Sequence, residues 1–204
     1  MYEKEEWIDQ IVALEWKQFQ AVQNEGGRAA CQDDWETFQI MRKSQFMAWD
    51  MDVLISYAQD LVLAETSQWN LLTEKYGRMM ASTAPEDYAA IAERLPKRSE
   101  ARLALQEKII EMLVSWEEAF AASYPHISGK SRPIHTAEDT PWETSAETYA
   151  RGELGTYSDA TVEAYYNMCK RKKEAGENLM TEISQNIMAF YGYHSLEEAE
   201  ASLK

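Results

Sequence analysis

Residues 33–49 read DDWETFQIMRKSQFMAW, and the spacing of their large side chains decides the fold. At about 100° per residue, Trp35, Phe38, Met41, Phe46 and Trp49 fall on one arc, as on an amphipathic helix. Either Asp33 or Asp34 can cap its first turn. The arc is interrupted, because Arg42 and Gln45 fall inside it while Lys43 points the other way. A buried, unpaired guanidinium costs several kcal/mol, so Arg42 requires a carboxylate, a path to water or a ligand.

The same conflict recurs outward from this helix. Residues 3–22 place Trp7, Ile8, Ile11, Val12, Leu14, Phe19 and Val22 at helical spacing, with Glu15 inside their arc and Gly26 and Gly27 ending the run. A third helix is expected over 51–66. In NLLTEKYGRMM, residues 70–80, Lys75 sits between Leu71, Leu72 and Met79, with Arg78 at the edge and Glu74 alongside. Pro85 opens a short helix that Pro96 closes, and a long helix runs from about Ser99 to Ser123. A polar loop with Gly129 and Pro133 reaches Pro141. Trp142–Tyr157 and most of 158–191 read as helical, with a weak point at Gly176, and a capping box of Ser195 and Glu198 starts the last helix. No segment alternates with period two. An all-α helical bundle in one domain, residues 1–204, is expected.

Composition agrees. The 204 residues include seven Trp, eleven Tyr and ten Met but only eight Gly and five Pro, which favours long regular elements. The formal charge of −15 opposes binding to nucleic acid or anionic membranes. No stretch approaches the roughly 18 apolar residues of a membrane span, and MYEKEEW carries no signal-peptide pattern, so a cytoplasmic location is expected. Cys31 and Cys169 are then free thiols.

Shifting the chain by 108 positions lays NLLTE (70–74) on NLMTE (178–182), Tyr57 on Tyr165, Trp49 on Tyr157, Phe46 on Leu154, Gln45 on Glu153 and Lys43 on Arg151. One residue of slippage aligns DDWET (33–37) with TPWET (140–144), while Trp16 answers Trp116 and Arg28 answers Arg132. The pattern predicts two duplicated halves, about 1–96 and 97–204, related by a pseudo-twofold axis. Their charges differ: Glu15, Arg42, Lys75 and Arg78 meet Ser115, Ala150, Ile183 and Asn186.

That asymmetry points to one polar pocket between the halves. The candidates for proton transfer are Glu15, Glu74 and Lys75, their pKa values shifted by burial. Arg28, Asp33, Asp34, Trp35, Arg42, Gln45 and Arg78 from the first half, and Arg132, Asp139, Trp142, Tyr149 and Glu153 from the second, are candidates for holding an anionic or zwitterionic metabolite. A lyase, isomerase or hydrolase step suits such groups; the alternatives are a non-catalytic interaction module, whose partner is a protein or a second copy in a homodimer, and a metabolite sensor. No resident metal is expected, since His126, His135 and His194 are far apart, and the one cation the pattern admits is Mg²⁺ between Asp33, Asp34 and Asp139. P-loop, dinucleotide-binding and nucleophile-elbow motifs are missing.

The segments NEGGRAACQDDWETFQIMRKSQF (24–46), NLLTEKYGRMM (70–80) and RPIHTAEDTPWETSAETYARGELGTYS (132–158) resemble the signature segments of a bacterial family of unknown function, number 4125, over nearly the whole chain. The resemblance implies no reaction and no catalytic residue. For some members it implies a nucleotidyltransferase-like domain as partner or fusion.

Overall fold

The computed structural model describes residues 3–24 and 27–204; Met1, Tyr2, Glu25 and Gly26, the last of which was expected to help end the first helix, lie outside the described residues. Eleven helices follow in order: α1 (Lys4–Gln20), α2 (Trp35–Met47), α3 (Met51–Thr66), α4 (Leu71–Thr83), α5 (Pro85–Ile91), α6 (Glu100–Ser123), α7 (Pro125–Ser128), α8 (Ala146–Thr156), α9 (Asp159–Ala175), α10 (Leu179–Phe190) and α11 (Leu196–Ser202). Among the described residues there is no strand, only an antiparallel bridge between Thr140 and Glu143. The fold is all-α.

Short polar side chains set the helix starts. Asp34, not Asp33, caps α2 by accepting from Thr37 N at 3.0 Å, and Asn70 and Asn178 do the same for Thr73 and Thr181 at the heads of α4 and α10. Gly176 ends α9 in the left-handed region, with φ of 72°. One expected start is wrong. Trp142–Thr144 are not helical, because Ser145 is the cap that accepts from Thr148 N, and Asp139 fixes the loop before it by accepting from Ser145 N and Thr148 Oγ1, both at 2.6 Å. DDWET and TPWET therefore occupy different structural positions, one in the first turn of a helix and one in a loop.

The centre is aromatic. Trp49, Tyr57, Tyr157 and Phe46 are among the largest fully buried side chains, and Trp49 meets Phe46 and Tyr165 edge-on at 4.9 and 5.1 Å. Around them α3 packs on α9, α1 on α2 and α3, α6 on α8 and α9, α4 on α8 and α10 on α2. Asn70 Nδ2 donates to Gln18 O at 2.8 Å, and Asn178 Nδ2 to Trp116 O at 2.9 Å. The two caps thus bond in the same way, Asn70 to Gln18 of α1 and Asn178 to Trp116 of α6.

The end of α8 and the head of α9 are held by side chains from elsewhere in the fold. Arg102 donates to Leu154 O at 2.6 Å and to Tyr157 O at 3.1 Å, and Arg98 to Gly155 O at 3.0 Å, satisfying carbonyls that the end of α8 leaves free. Asp60 of α3 accepts from Ser158 N at 2.9 Å and Thr161 Oγ1 at 2.7 Å at the head of α9. Among the described residues no helix is long and apolar enough to cross a membrane.

Candidate functional site

Arg42 lies where three helices meet. From α2 its guanidinium grips Glu15 of α1 in a two-pronged pair, Nε to Oε2 and Nη2 to Oε1, each at 2.6 Å. Nη2 also donates to Glu153 Oε1 of α8 at 2.9 Å, Nη1 donates to Gln45 Oε1 at 2.7 Å, and the guanidinium stands 4.7 Å from the Phe46 ring centroid. Each carboxylate has a tyrosine of its own: Tyr57 OH donates to Glu15 at 2.6 Å and Tyr157 OH to Glu153 at 2.8 Å. Lys75 of α4 completes the cluster, donating to Tyr149 OH at 2.8 Å and lying 3.7 Å from Glu153. Two cations and two carboxylates thus share a site where Arg42 is only 7% exposed.

Burial alone would neutralise such groups; their mutual attraction is stronger. Burial pushes the Glu153 carboxyl up, but Arg42 and then Lys75 outweigh it and hold it at about 2. Burial pulls the Lys75 ammonium down, but Tyr149 and Glu153 more than offset it, and its pKa ends above the ordinary lysine value. A carboxyl depressed from 4.5 to about 2 adds stability that is complete above pH 4.5 and lost as the pH falls through 2. We expect acid unfolding of the wild type to steepen across that window and to flatten in Glu153→Gln. Equal slopes for the two proteins in pH-dependent chemical denaturation would show that Glu153 does not carry this dependence.

The cluster is the floor of a cavity of about 610 Å³ between α1, α2, α4 and the loop before α8. Glu15, Arg42, Lys75 and Tyr149 reach it from below; Asp34, Lys130, Arg132, Glu143 and Trp142 stand at its mouth. Arg132 donates to Thr144 O at 2.8 Å and lies 4.6 Å from the centroid of the Tyr149 ring, which also carries the Lys75 ammonium at 4.3 Å. Among the described residues neither Lys130 nor Arg132 forms an ion pair. Trp142 is 95% exposed.

Several expected members lie elsewhere. Glu74 and Arg78 pair with each other at 2.7 Å in a second network, where Glu74 also accepts from Trp69 Nε1 at 2.6 Å and from Arg98 at 3.4 Å, so Glu74 does not reach the cavity. Arg28 and Asp33 pair at the surface at 2.9 Å. Trp35, 40% exposed, stands edge-on to Trp16 at 5.1 Å instead of facing the cavity. Asp139 holds its loop and accepts from Ser82 Oγ at 2.5 Å. The three aspartates expected to gather Mg²⁺ therefore serve three separate purposes, and among the described residues no group of three or more His, Cys, Asp or Glu converges on a metal position.

Sequence reasoning overlooked Tyr57 and Tyr157 as hydrogen-bond donors, Lys130 at the mouth, and Glu117. Glu117 lies on α6 among Leu113, Val114 and Phe120, a carboxylate in an apolar arc like Glu15, so the same signal was present.

No curated protein matches the chain, and no solved structure does. Residues 5–201 match the family described as Protein of unknown function (DUF4125), which takes in both the charge cluster and the loop above it. The chain belongs to that family.

Proposed function

We propose that the protein binds a small anionic or zwitterionic metabolite in the cavity over Arg42 and Lys75. The observation that carries this reading is the cavity itself: its volume of about 610 Å³ lies in the range of small-molecule sites, and its mouth holds, beside Asp34 and Glu143, two cations that form no ion pair among the described residues. On a chain of net charge −15, Lys130 and Arg132 form a local attraction for an anion. The Lys75 ammonium has three donor hydrogens, and among the described residues its one hydrogen-bond acceptor is Tyr149.

Binding is favoured over acid–base catalysis. Proton transfer works best with a group whose pKa lies near the working pH, whereas Glu153 and Lys75 are pushed away from neutrality in opposite directions. A second reading, an interaction module or sensor acting with a nucleotidyltransferase-like partner, is favoured by Trp142, whose nearly complete exposure next to Pro141 suits a protein contact. In either case we read the chain as two duplicated halves, supported by the matched helix packing and by the paired Asn70 and Asn178 bonds.

The test is calorimetric titration with succinate, glutamate, phosphoserine and inorganic phosphate, on wild type and on Lys130→Ala/Arg132→Ala. We expect at least one probe to bind, and the double variant to weaken it about tenfold or more while its stability moves by only about 0.5 kcal/mol, as for exposed positions. Binding of none, or equal binding by the variant, would overturn the assignment.

A further inference from the structure

A second cavity, of about 470 Å³, lies between α6, α8 and α10. Met41, Lys130, Ser131, Arg132 and Tyr149 line both cavities and form the wall between them. In the register set by Asn70 and Asn178, the second cavity answers the first position by position: Leu113 stands for Glu15, Glu117 for Phe19, Ala150 for Arg42, Ile183 for Lys75 and Ser184 for Tyr76, and all ten residues line their respective cavities, Ala150 and Arg42 included. The charged floor has become apolar. One carboxylate has been placed in what was an aromatic wall.

The polar groups of this second recess divide into two kinds. Glu147 is paired with Arg151 at 2.9 Å, while Glu153, Gln45 and Tyr157 belong to the Arg42 cluster. Glu117, by contrast, has no hydrogen bond or ion pair among the described residues. Burial pushes its carboxyl up, and Arg132 offsets this only in part. Arg132 and Lys130 face the same space, and neither forms an ion pair with Glu117.

A negative group and two positive groups that stay apart across an apolar recess match a zwitterion with an apolar side chain. An amine alone would meet the repulsion of Arg132 and Lys130, and a carboxylate alone that of Glu117. We propose that this cavity is a second ligand site, selective for an apolar α-amino acid whose ammonium bonds Glu117, whose carboxylate meets Arg132 and Lys130, and whose side chain packs on Leu113, Met180 and Ile183. The site requires no occupant in the first cavity, and Glu117 does not line that cavity.

Three probes separate the contributions: L-leucine, isocaproate, which lacks the ammonium, and isoamylamine, which lacks the carboxylate. Titrations of the full chain are followed by calorimetry and by the methyl resonance of Met180, with Glu117→Gln as a near-isosteric variant whose folding is checked by its melting curve. Leucine is expected to bind and to shift Met180, with each truncated probe at least about tenfold weaker. Glu117→Gln should weaken leucine by a similar factor and leave the anion titrations of the first cavity unchanged. Three outcomes would overturn the proposal: either truncated probe binding as tightly as leucine, undiminished binding by folded Glu117→Gln, or no heat and no Met180 shift at about 10 mM leucine, where a Kd near 1 mM would already give near-saturation.

Discussion

Arg42→Met is expected to lower the melting temperature by roughly 10 °C. Breaking a buried pair by removing one partner costs about 3–5 kcal/mol, and each kcal/mol moves the transition of a domain this size by about 2–4 °C. The cause is the charge left behind. Glu15 would keep only Tyr57, and Glu153 would keep Tyr157, Gln45 and a Lys75 contact at 3.7 Å, so two carboxylates would face each other across the space the guanidinium vacated. One of them should take up a proton. A carboxyl whose folded pKa is raised binds more protons than its unfolded form, so the variant should gain stability as the pH falls through that raised value, opposite to the wild type. Replacing the whole group, as Glu15→Gln/Arg42→Met/Glu153→Gln, should recover much of the loss, because the buried charges are removed together. A single variant melting within about 2 °C of wild type would show that the pair contributes little.

This expectation separates architecture from ligand binding. Arg42 has its hydrogen-bonding capacity used by Glu15, Glu153 and Gln45, so its loss acts through stability whether or not the cavity is filled. At the rim, Lys130 and Arg132 pair with no carboxylate among the described residues, and a ligand would meet them first.

What could be read from residue order follows the range of the force involved. Asp34 and Ser195 as helix caps act within four residues, and they were legible, Asp34 as one of two candidates. So was the need of Arg42 for a carboxylate, since burial on one helix face is a local pattern and an unpaired charge there is costly. Which carboxylate would answer was not. Glu74 satisfies the same criterion as Glu15 but faces Arg78, one turn along its own helix, and Arg98, from the segment that leads into α6. Arg28 and Arg132 occupy similar glycine-containing loops, yet only Arg132 is carried over a cavity, by its bond to Thr144 O and its contact with Tyr149. A helix expected from Trp142 begins only at Ala146, because Asp139 and Ser145 decide where α8 starts.

Gly152→Val should be nearly as damaging, for a reason of shape. The floor of the first cavity depends on α4 and α8 lying close enough for Lys75 to reach Tyr149 and Glu153, and Gly152 sits at that crossing. A Cβ there would stand 2.7 Å from Met79 Cγ and 3.0 Å from the Lys75 carbonyl oxygen. Met79 has rotamers to spare, whereas the Lys75 backbone can yield only if the helix moves. Val adds two methyl groups beyond the Cβ, so overpacking should cost about 3 kcal/mol, the upper end of the usual range, and part the helices. Better helix propensity relative to Gly returns well under 1 kcal/mol. Met79→Ala in the same chain should restore part of the stability, as expected for residues sharing one space, but not the Lys75–Tyr149 bond, since the backbone contact persists. Ligand affinity in the first cavity should therefore stay low in the double variant even where its melting temperature recovers. A Gly152→Val protein that melts like the wild type and binds its ligand unchanged would mean that the separation of α4 and α8 does not govern the site.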